Sequence, residues 1–301
     1  MRKKTEKIAG YAFLIFGCVA VISVVAITAY MLVKGTPALF KVGVTELLFG
    51  NEWKPTAGDP SYGIFYIILS SIVGTLGAVL LGVPVGILTA VFLTDFTSES
   101  KIGRRISGIL SSAVELLAAI PSVIYGLIGM MLLNPAMYKL EKKIFAGDET
   151  HQFTGGSNLI SAIIVLAIMI LPTVINISAS SIRAVPKSLR SASLALGASK
   201  IQTIFKVVLP AAKSGIMTGV VLGIGRALGE AMAINMVAGG AVNIPLPFNS
   251  VRFLTTQIVS EMSYSSGQHR QVLFTVGLVL YIFIVIINLL LTRLKKRGEL
   301  E

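Results

Sequence analysis

The stretch YGIFYIILSSIVGTLGAVLLGVPVGILTAVFLT, Tyr62 to Thr94, carries no charged side chain in 33 residues. An apolar run beyond about 18 residues reads as a bilayer span rather than a piece of soluble core. At about 1.5 Å per residue, a helix of this length overshoots a hydrocarbon layer of about 30 Å. It is therefore expected to tilt, protrude or bend near Gly82-Val83-Pro84. Working outward, apolar stretches at 8–33, 106–134, 158–182, 214–239 and 271–292 repeat the pattern and give six expected spans. The first follows Arg2, Lys3, Lys4 and Lys7, but it exceeds the roughly 7–15 residues of a signal-peptide core and reads as a retained helix. The chain is expected to be an all-α membrane protein, one transmembrane domain over residues 1–301.

Composition agrees. Hydrophobic residues make up 54% of the 301 and charged residues only 13%, about half the charge of an average soluble protein. Cys18 is the only cysteine, so no intrachain disulfide or multi-cysteine metal cage can form, and inside an apolar run it reads as an inert packed thiol. His151 and His269 lie far apart, neither in an H-x-x-x-H pattern. No metal or other cofactor is expected.

The 26 Lys and Arg against 14 Asp and Glu, formally +12, would suggest nucleic acid in a soluble protein. Here the basic residues flank the spans. Seventeen fall in the N-terminus, the 94–106 loop, the 183–213 loop and the C-terminus, and eight in the alternate connections. By the positive-inside rule the first group, both termini included, is expected to face the cytoplasm. No basic domain remains to carry a nucleic-acid interface.

Two spans carry small residues at every fourth position: Gly74, Ala78, Gly82 and Gly86 in the second, Gly215, Gly219, Gly223, Ala227 and Ala231 in the fifth. Such ridges let helix backbones approach closely in lipid. They predict a tightly packed bundle, either within the chain or with a like partner.

The 183–213 connection is too patterned for a plain linker. Pro186 suits the first turn of a short helix and Gly197 its left-handed C-terminal cap. Ser199 and Gln202 form a capping box for a second helix. Ile201, Ile204, Phe205 and Val208 then share one face, and Pro210 closes it. The spacing resembles the EAA loop of ABC importer permeases, E-A-A-x-x-x-G followed about a dozen residues later by L-P. Ser191-Ala192-Ser193 stands at the E-A-A positions, Gly197 at the glycine, and Leu209-Pro210 at the end. Ser191 replaces the family's Glu, which removes an acidic contact but spares the helix–Gly–helix geometry.

Further segments narrow the resemblance. Glu115-Leu-Leu-Ala-Ala-Ile-Pro-Ser-Val-Ile-Tyr-Gly126, Ile168-Met-Ile-Leu-Pro172, Arg183-Ala-Val-Pro186 and Gly225-Arg-Ala-Leu-Gly-Glu230 look like phosphate-specific ABC permeases. Trp53-x-Pro55, Tyr62-Gly63 and Gly74-Thr75 look more like the PstC-type subunit than its PstA-type sister. The resemblance implies the type I importer permease fold with a cytoplasmic coupling loop. It also implies a homologous PstA-type permease, a cytoplasmic ATPase dimer and an extracytoplasmic phosphate-binding protein as partners. Ser191, Ala192, Gly197, Ala198, Ile201, Phe205, Leu209 and Pro210 would then meet the ATPase. The chain itself would be non-catalytic. No Walker A run, G-x-x-x-x-G-K-[ST], is present, and the extracytoplasmic loops are too short for a ligand-binding domain.

Charges inside spans need a reason, since each costs at least about 2.5 kcal/mol on insertion scales. Arg226 and Glu230 are four apart and are expected on one face of the fifth helix. They read either as an ion pair that lets the helix insert, or as an Arg that meets an anion in the translocation path with Glu230 holding it. A guanidinium binds oxyanions bidentately and stays charged at physiological pH. Glu115, on a face with Ser112, Ala119 and Ser122, could pair with Arg226, be protonated, or sit near cytoplasmic water. Arg226, Glu230 and Glu115 are the candidate pathway residues. The alternatives are a permease for another oxyanion, such as sulfate or molybdate, or an ion-coupled secondary transporter using the same three residues as a relay.

Overall fold

The computed structural model describes residues 2–96 and 101–297. Residues 97–100 of the expected 94–106 connection therefore lie outside the description, as do the side chains of residues 2–5, 8, 101, 102 and 294–297, which include seven of the expected cytoplasmic Lys and Arg. The elements are α1 (Arg2–Val42), α2 (Val44–Phe49), a short hairpin of β1 (Trp53–Lys54) and β2 (Ser61–Tyr62), then α3 (Phe65–Val91), α4 (Lys101–Ala119), α5 (Ser122–Ile128) and α6 (Asn134–Ile144). They continue as α7 (Leu159–Ala184), α8 (Lys187–Ala195), α9 (Lys200–Thr203), α10 (Leu209–Ala211), α11 (Lys213–Gly229), α12 (Met232–Val237), α13 (Leu254–Glu261) and α14 (Gly267–Arg297). Single π-helical turns extend α3 (Phe92–Phe96), join α5 to α6 (Gly129–Leu133) and join α9 to α10 (Ile204–Val208).

Among the described residues five helical stretches are long and apolar enough to cross a membrane: Ala9–Val42, Phe65–Phe96, Ser122–Ile144, Leu159–Ala184 and Gly267–Arg293. A sixth crossing is made if Lys200–Ala211 and Lys213–Gly229, bent by 69°, count as one. Two expected spans are corrected. The 106–134 stretch is not one helix: α4 ends at Ala119, Pro121 is extended (φ −60°, ψ 144°), and the crossing is Ser122–Ile144. Proline lacks the N–H that the helix needs, and its ring forces the preceding residue away from α geometry. α4 instead lies against the bundle through Val114, which packs with Leu93 and Ile175. The 214–239 stretch also breaks: α11 stops at Gly229, and α12 begins after Glu230, whose backbone is extended (φ −76°, ψ 127°).

Both small-residue ridges close on α7, the most buried span. A methyl added at Gly82 would lie 2.9 Å from Ile170 Cδ1 and 3.0 Å from the Ala167 carbonyl oxygen, and one at Gly86 would lie 2.8 Å from Val174 Cγ1. On α11, Gly215 faces Ser181 and Gly219 faces Ile177, in the reverse order along α7. α3 and α7 are thus parallel and packed directly together, with α11 antiparallel to both. Ala78, Leu166, Ile170, Ala227 and Ile234 meet in the central core. Ala231, the last expected ridge position, falls beyond the break.

α1 runs antiparallel to α14: Thr28 bonds Tyr281 at 2.9 Å and Thr275 donates to the Gly35 carbonyl at 2.6 Å. Ala38 near the end of α1, Ile64 and Ile67 at the start of α3, and Val272 of α14 share one cluster. The outer ends of α1 and α14 therefore point the same way as the end of α3. A separate cluster of Ala90, Val91, Ile182, Ile204, Val208 and Ile216 closes that end beneath α8–α10. Cys18 lies exposed on α1, not packed within the chain, on a stretch that no other element covers.

Candidate functional site

The α8–α9 turn is built by local backbone chemistry. Gly197 has φ +85°, its N–H bonds the Leu194 carbonyl at 3.0 Å, and the Ala198 N–H bonds the Ser193 carbonyl at 3.2 Å. These two bonds form a Schellman cap, which a left-handed residue requires. Ser199 then starts α9: Gln202 N donates to Ser199 Oγ at 3.2 Å and Ser199 N to Gln202 Oε1 at 2.9 Å. Ser193 and Thr203 join the two helices through their hydroxyls at 2.9 Å. Ser191, Ala192, Gly197, Ile201, Phe205 and Pro210 lie exposed, with Ala198 and Leu209 half-buried. Leu196 at the tip is 89% exposed. The knob thus presents apolar surface that its own chain leaves uncovered.

Two residues that sequence reading did not single out attach this knob to the bundle. Arg190 of α8 pairs through Nη1 with Asp95, in the π-helical turn ending α3, and donates from Nη2 to the Ile182 carbonyl at 3.0 Å. Asp95 is buried and also accepts from Thr94 Oγ1 at 2.9 Å. Burial lowers the Arg190 pKa from its ordinary value, yet an arginine keeps its proton in proteins.

Arg226 is half-buried in the last turn of α11. Among the described residues nothing hydrogen-bonds or ion-pairs with its guanidinium. The buried Tyr125 phenol donates to the Leu117 carbonyl at 2.6 Å. Tyr125, missed in the sequence, thereby fastens the start of α5 to the end of α4. Glu230 does not share a helical face with Arg226, because the helix ends between them. Its Oε1 accepts the Ala233 N–H at 2.9 Å and so caps α12, while its carbonyl accepts Thr255 Oγ1 at 2.7 Å. Glu115 is exposed on α4 and is not paired with Arg226.

The opposite end holds two buried carboxylates. Glu261 accepts Trp53 Nε1 at 3.0 Å, pairs with Arg252 Nη1, and lies 2.8 Å from His269 Nε2. Glu141 accepts Thr154 N at 3.0 Å and lies 2.9 Å from His151 Nε2, whose ring stacks on Phe145 at 3.7 Å. Both histidines thus serve buried glutamates. Among the described residues no three His, Cys, Asp or Glu side chains gather to hold a metal.

Residues 82–298 match the family of binding-protein-dependent transport system inner membrane components. The chain is 39% identical over 280 residues to the probable ABC transporter permease protein YqgH of Bacillus subtilis (strain 168), covering 90% of this chain and 86% of that protein. It is 31% identical to the phosphate transport system permease protein PstC of Pasteurella multocida (strain Pm70), covering 94% of this chain and 90% of that one. For PstC of Xylella fastidiosa (strain 9a5c) the identity is 32%, with 92% and 87% covered. Among solved structures, a chain of a bacterial alginate ABC transporter in complex with an alginate pentasaccharide-bound periplasmic protein superposes with a TM-score of 0.65 at 15% identity, over 95% of this chain and 94% of that one. A chain of the inward-facing MetNI methionine ABC transporter superposes at 0.54 with 22% identity, over 78% and 94%. At these identities the likeness is one of fold: the type I ABC importer permease.

Proposed function

The chain belongs to the binding-protein-dependent inner membrane components, the permeases of ABC importers, and from that premise we propose that it carries inorganic phosphate across the cell membrane. As such a permease it is a multi-pass membrane subunit that hydrolyses no ATP itself; an ATPase and a substrate-binding protein are its working partners. The phosphate assignment draws on the relatives named as phosphate transport permeases. The observation that carries it is Arg226, a guanidinium inside a span with no acidic partner among the described residues. A charge within a membrane span costs free energy unless something answers it, and a phosphate oxyanion fits the planar donors of Arg.

Around Arg226 the face of α11 is open. A Cβ at Gly225 or Gly229 would meet nothing within 4 Å, and Leu222 is 51% exposed. We assign this face to a homologous, PstA-type permease, so that phosphate passes between the two subunits. Glu230 fixes α12 behind Arg226, and Glu115 on α4 is the proposed gating group exposed to water. The excess of basic residues orients both termini and α8–α9 toward the cytoplasm. There Ser191, Ala192, Gly197, Ala198, Ile201, Phe205, Leu209 and Pro210 would meet the ATPase dimer, while a phosphate-binding protein docks on the far side.

Uptake into proteoliposomes containing the sister permease, ATPase and binding protein tests this reading. Phosphate is expected to enter only with ATP supplied to the ATPase, and excess sulfate or molybdate to compete poorly. Equal competition would replace phosphate by oxyanions in general. Uptake without ATP would remove the importer mechanism.

A further inference from the structure

The two short helices that form the knob are attached to the bundle in different ways. The turn after α9 buries Ile204 and Val208 in an apolar cluster with Val91 and Ile182. α8 contributes no buried residue. Among the described residues, the hydrogen bonds and ion pairs from its side chains to the membrane helices all come from Arg190, to Asp95 and to the Ile182 carbonyl. A cavity of 410 Å³ lined by Asp95, Arg190, Leu194, Thr203, Ile204 and Val208 lies beside this contact. α8 is therefore joined to α3 by a charged pair beside a cavity, while Ser193 ties it to Thr203 of α9.

Asp95 lies in the π-helical turn that prolongs α3, and π turns set into helices are frequent at functional positions. The 27 residues of α3 span about 40 Å at 1.5 Å per residue. Along that length the glycines at 77, 82 and 86 hold α3 tight against Ile163, Ile170 and Val174 of α7. At the far end Ser71 Oγ accepts the Leu254 N–H at 2.9 Å, and Gly74 lies under the Phe253 ring. Leu254 opens α13, which ends in Glu261 and its Trp53, Arg252 and His269 partners. α3 thus runs as close-packed backbone from the Asp95 end to the opposite face.

We propose that the Arg190–Asp95 ion pair is the link through which α8 drives α3, a positioning pair that converts ATPase movement into transport. The proposal rests on the reading that α8–α9 receives the ATPase. Without the pair, the ATPase still docks on the exposed apolar tip and the Ile204–Val208 turn still packs on Ala90 and Val91, but α8 loses its direct link to α3 and its movement reaches that helix only through α9. Neutralising one partner leaves a buried unpaired charge, so the informative variant removes both.

The test compares wild type, Asp95→Asn/Arg190→Gln and Arg190→Lys in the complete transporter reconstituted in proteoliposomes. It measures ATPase retained, ATP hydrolysed and inorganic phosphate taken up. The double variant is expected to retain the ATPase and hydrolyse ATP. Its phosphate moved per ATP should fall about 5- to 150-fold, the span of a typical coupling between sites, and Arg190→Lys should recover part of that ratio. An unchanged phosphate-to-ATP ratio in the double variant would overturn the proposal. Loss of the ATPase from the double variant alone would also overturn it, showing that the pair serves docking. Failure of wild type carrying Leu196→Cys to cross-link to the ATPase would overturn the docking reading itself, and the proposal with it.

Discussion

Glu230 gives its carboxylate to the Ala233 N–H at 2.9 Å, and one turn earlier Arg226 goes without an acidic partner among the described residues. Capping, rather than charge pairing, therefore sets what Glu230 does for stability. Glu230→Gln keeps an oxygen to accept the same N–H and is expected to leave thermal unfolding in detergent unchanged. Glu230→Ala removes the cap and should cost about 1 kcal/mol. Equal destabilisation by both variants would show that the charge, not the cap, matters.

Arg226 carries the anion reading, and its two conservative tests differ in chemistry. Arg226→Gln should abolish phosphate uptake while the subunits still co-purify. Arg226→Lys keeps the charge but loses the fork. Loss of one charge-assisted hydrogen bond is worth about 1.5–3 kcal/mol, or about 10- to 150-fold in rate, so that variant should retain only a small fraction of uptake. Full transport by either would return Arg226 to a role in helix insertion.

What the sequence made legible was local. The Gly197 cap and the Ser199–Gln202 box involve bonds that reach only a few residues, and their residue types declare them. The ridges at Gly74–Gly86 and Gly215–Gly223 were readable as close-packing faces, though not that both meet α7. The break at Pro121 carries a proline and the one after Gly229 lies between the charged Arg226 and Glu230, yet neither signal distinguishes a bend within a span from a stop between two helices. The i, i+4 spacing of Arg226 and Glu230 assumed one continuous helix, but α11 ends at Gly229. Most hidden were pairs distant in sequence. Asp95 meets Arg190 across 95 positions and Trp53 meets Glu261 across 208. Each had one signal, an isolated polar or charged residue bordering an apolar run, and that signal names no partner.

Gly197 offers a backbone test free of packing. Its φ of +85° strains any L side chain, while a Cβ there would meet nothing within 4 Å. Substitution therefore costs conformational energy alone, about 1–2 kcal/mol for a residue forced left-handed, and less for Asn, which tolerates that region. Local hydrogen exchange across α8–α9 should accelerate in the order Gly, Asn, Ala, Val, and ATPase co-purification should weaken in the same order. If Val at this position exchanged and co-purified like wild type, the Schellman cap would not be what shapes the knob.

Glu261 gathers the far end of the molecule. Its carboxylate joins Trp53 from β1, Arg252 from just before α13 and His269 from α14, three segments with no shared helix. Because it is buried, its loss leaves Arg252 with only neutral acceptors, the Gly240 carbonyl and Gln257 Oε1, and takes the acceptor from the Trp53 N–H. Breaking a buried pair from one side costs about 3–5 kcal/mol, and Glu261→Ala should lower thermal stability by that order. Trp53→Phe gives up one hydrogen bond to a charged acceptor, about 1.5–3 kcal/mol. It keeps an aromatic ring at the position that packs on Tyr62 and His269, with centroids at 5.8 and 5.9 Å, so its effect should be smaller. On the same hairpin Lys54 and Glu52 pair at 2.7 Å with both side chains exposed, and such pairs contribute little. Glu52→Ala is the matched control. Unfolding of the three variants in one detergent should rank Glu261→Ala below Trp53→Phe below Glu52→Ala in stability; a Glu52→Ala loss as large as that of Glu261→Ala would mean that burial does not set the strength of the cluster.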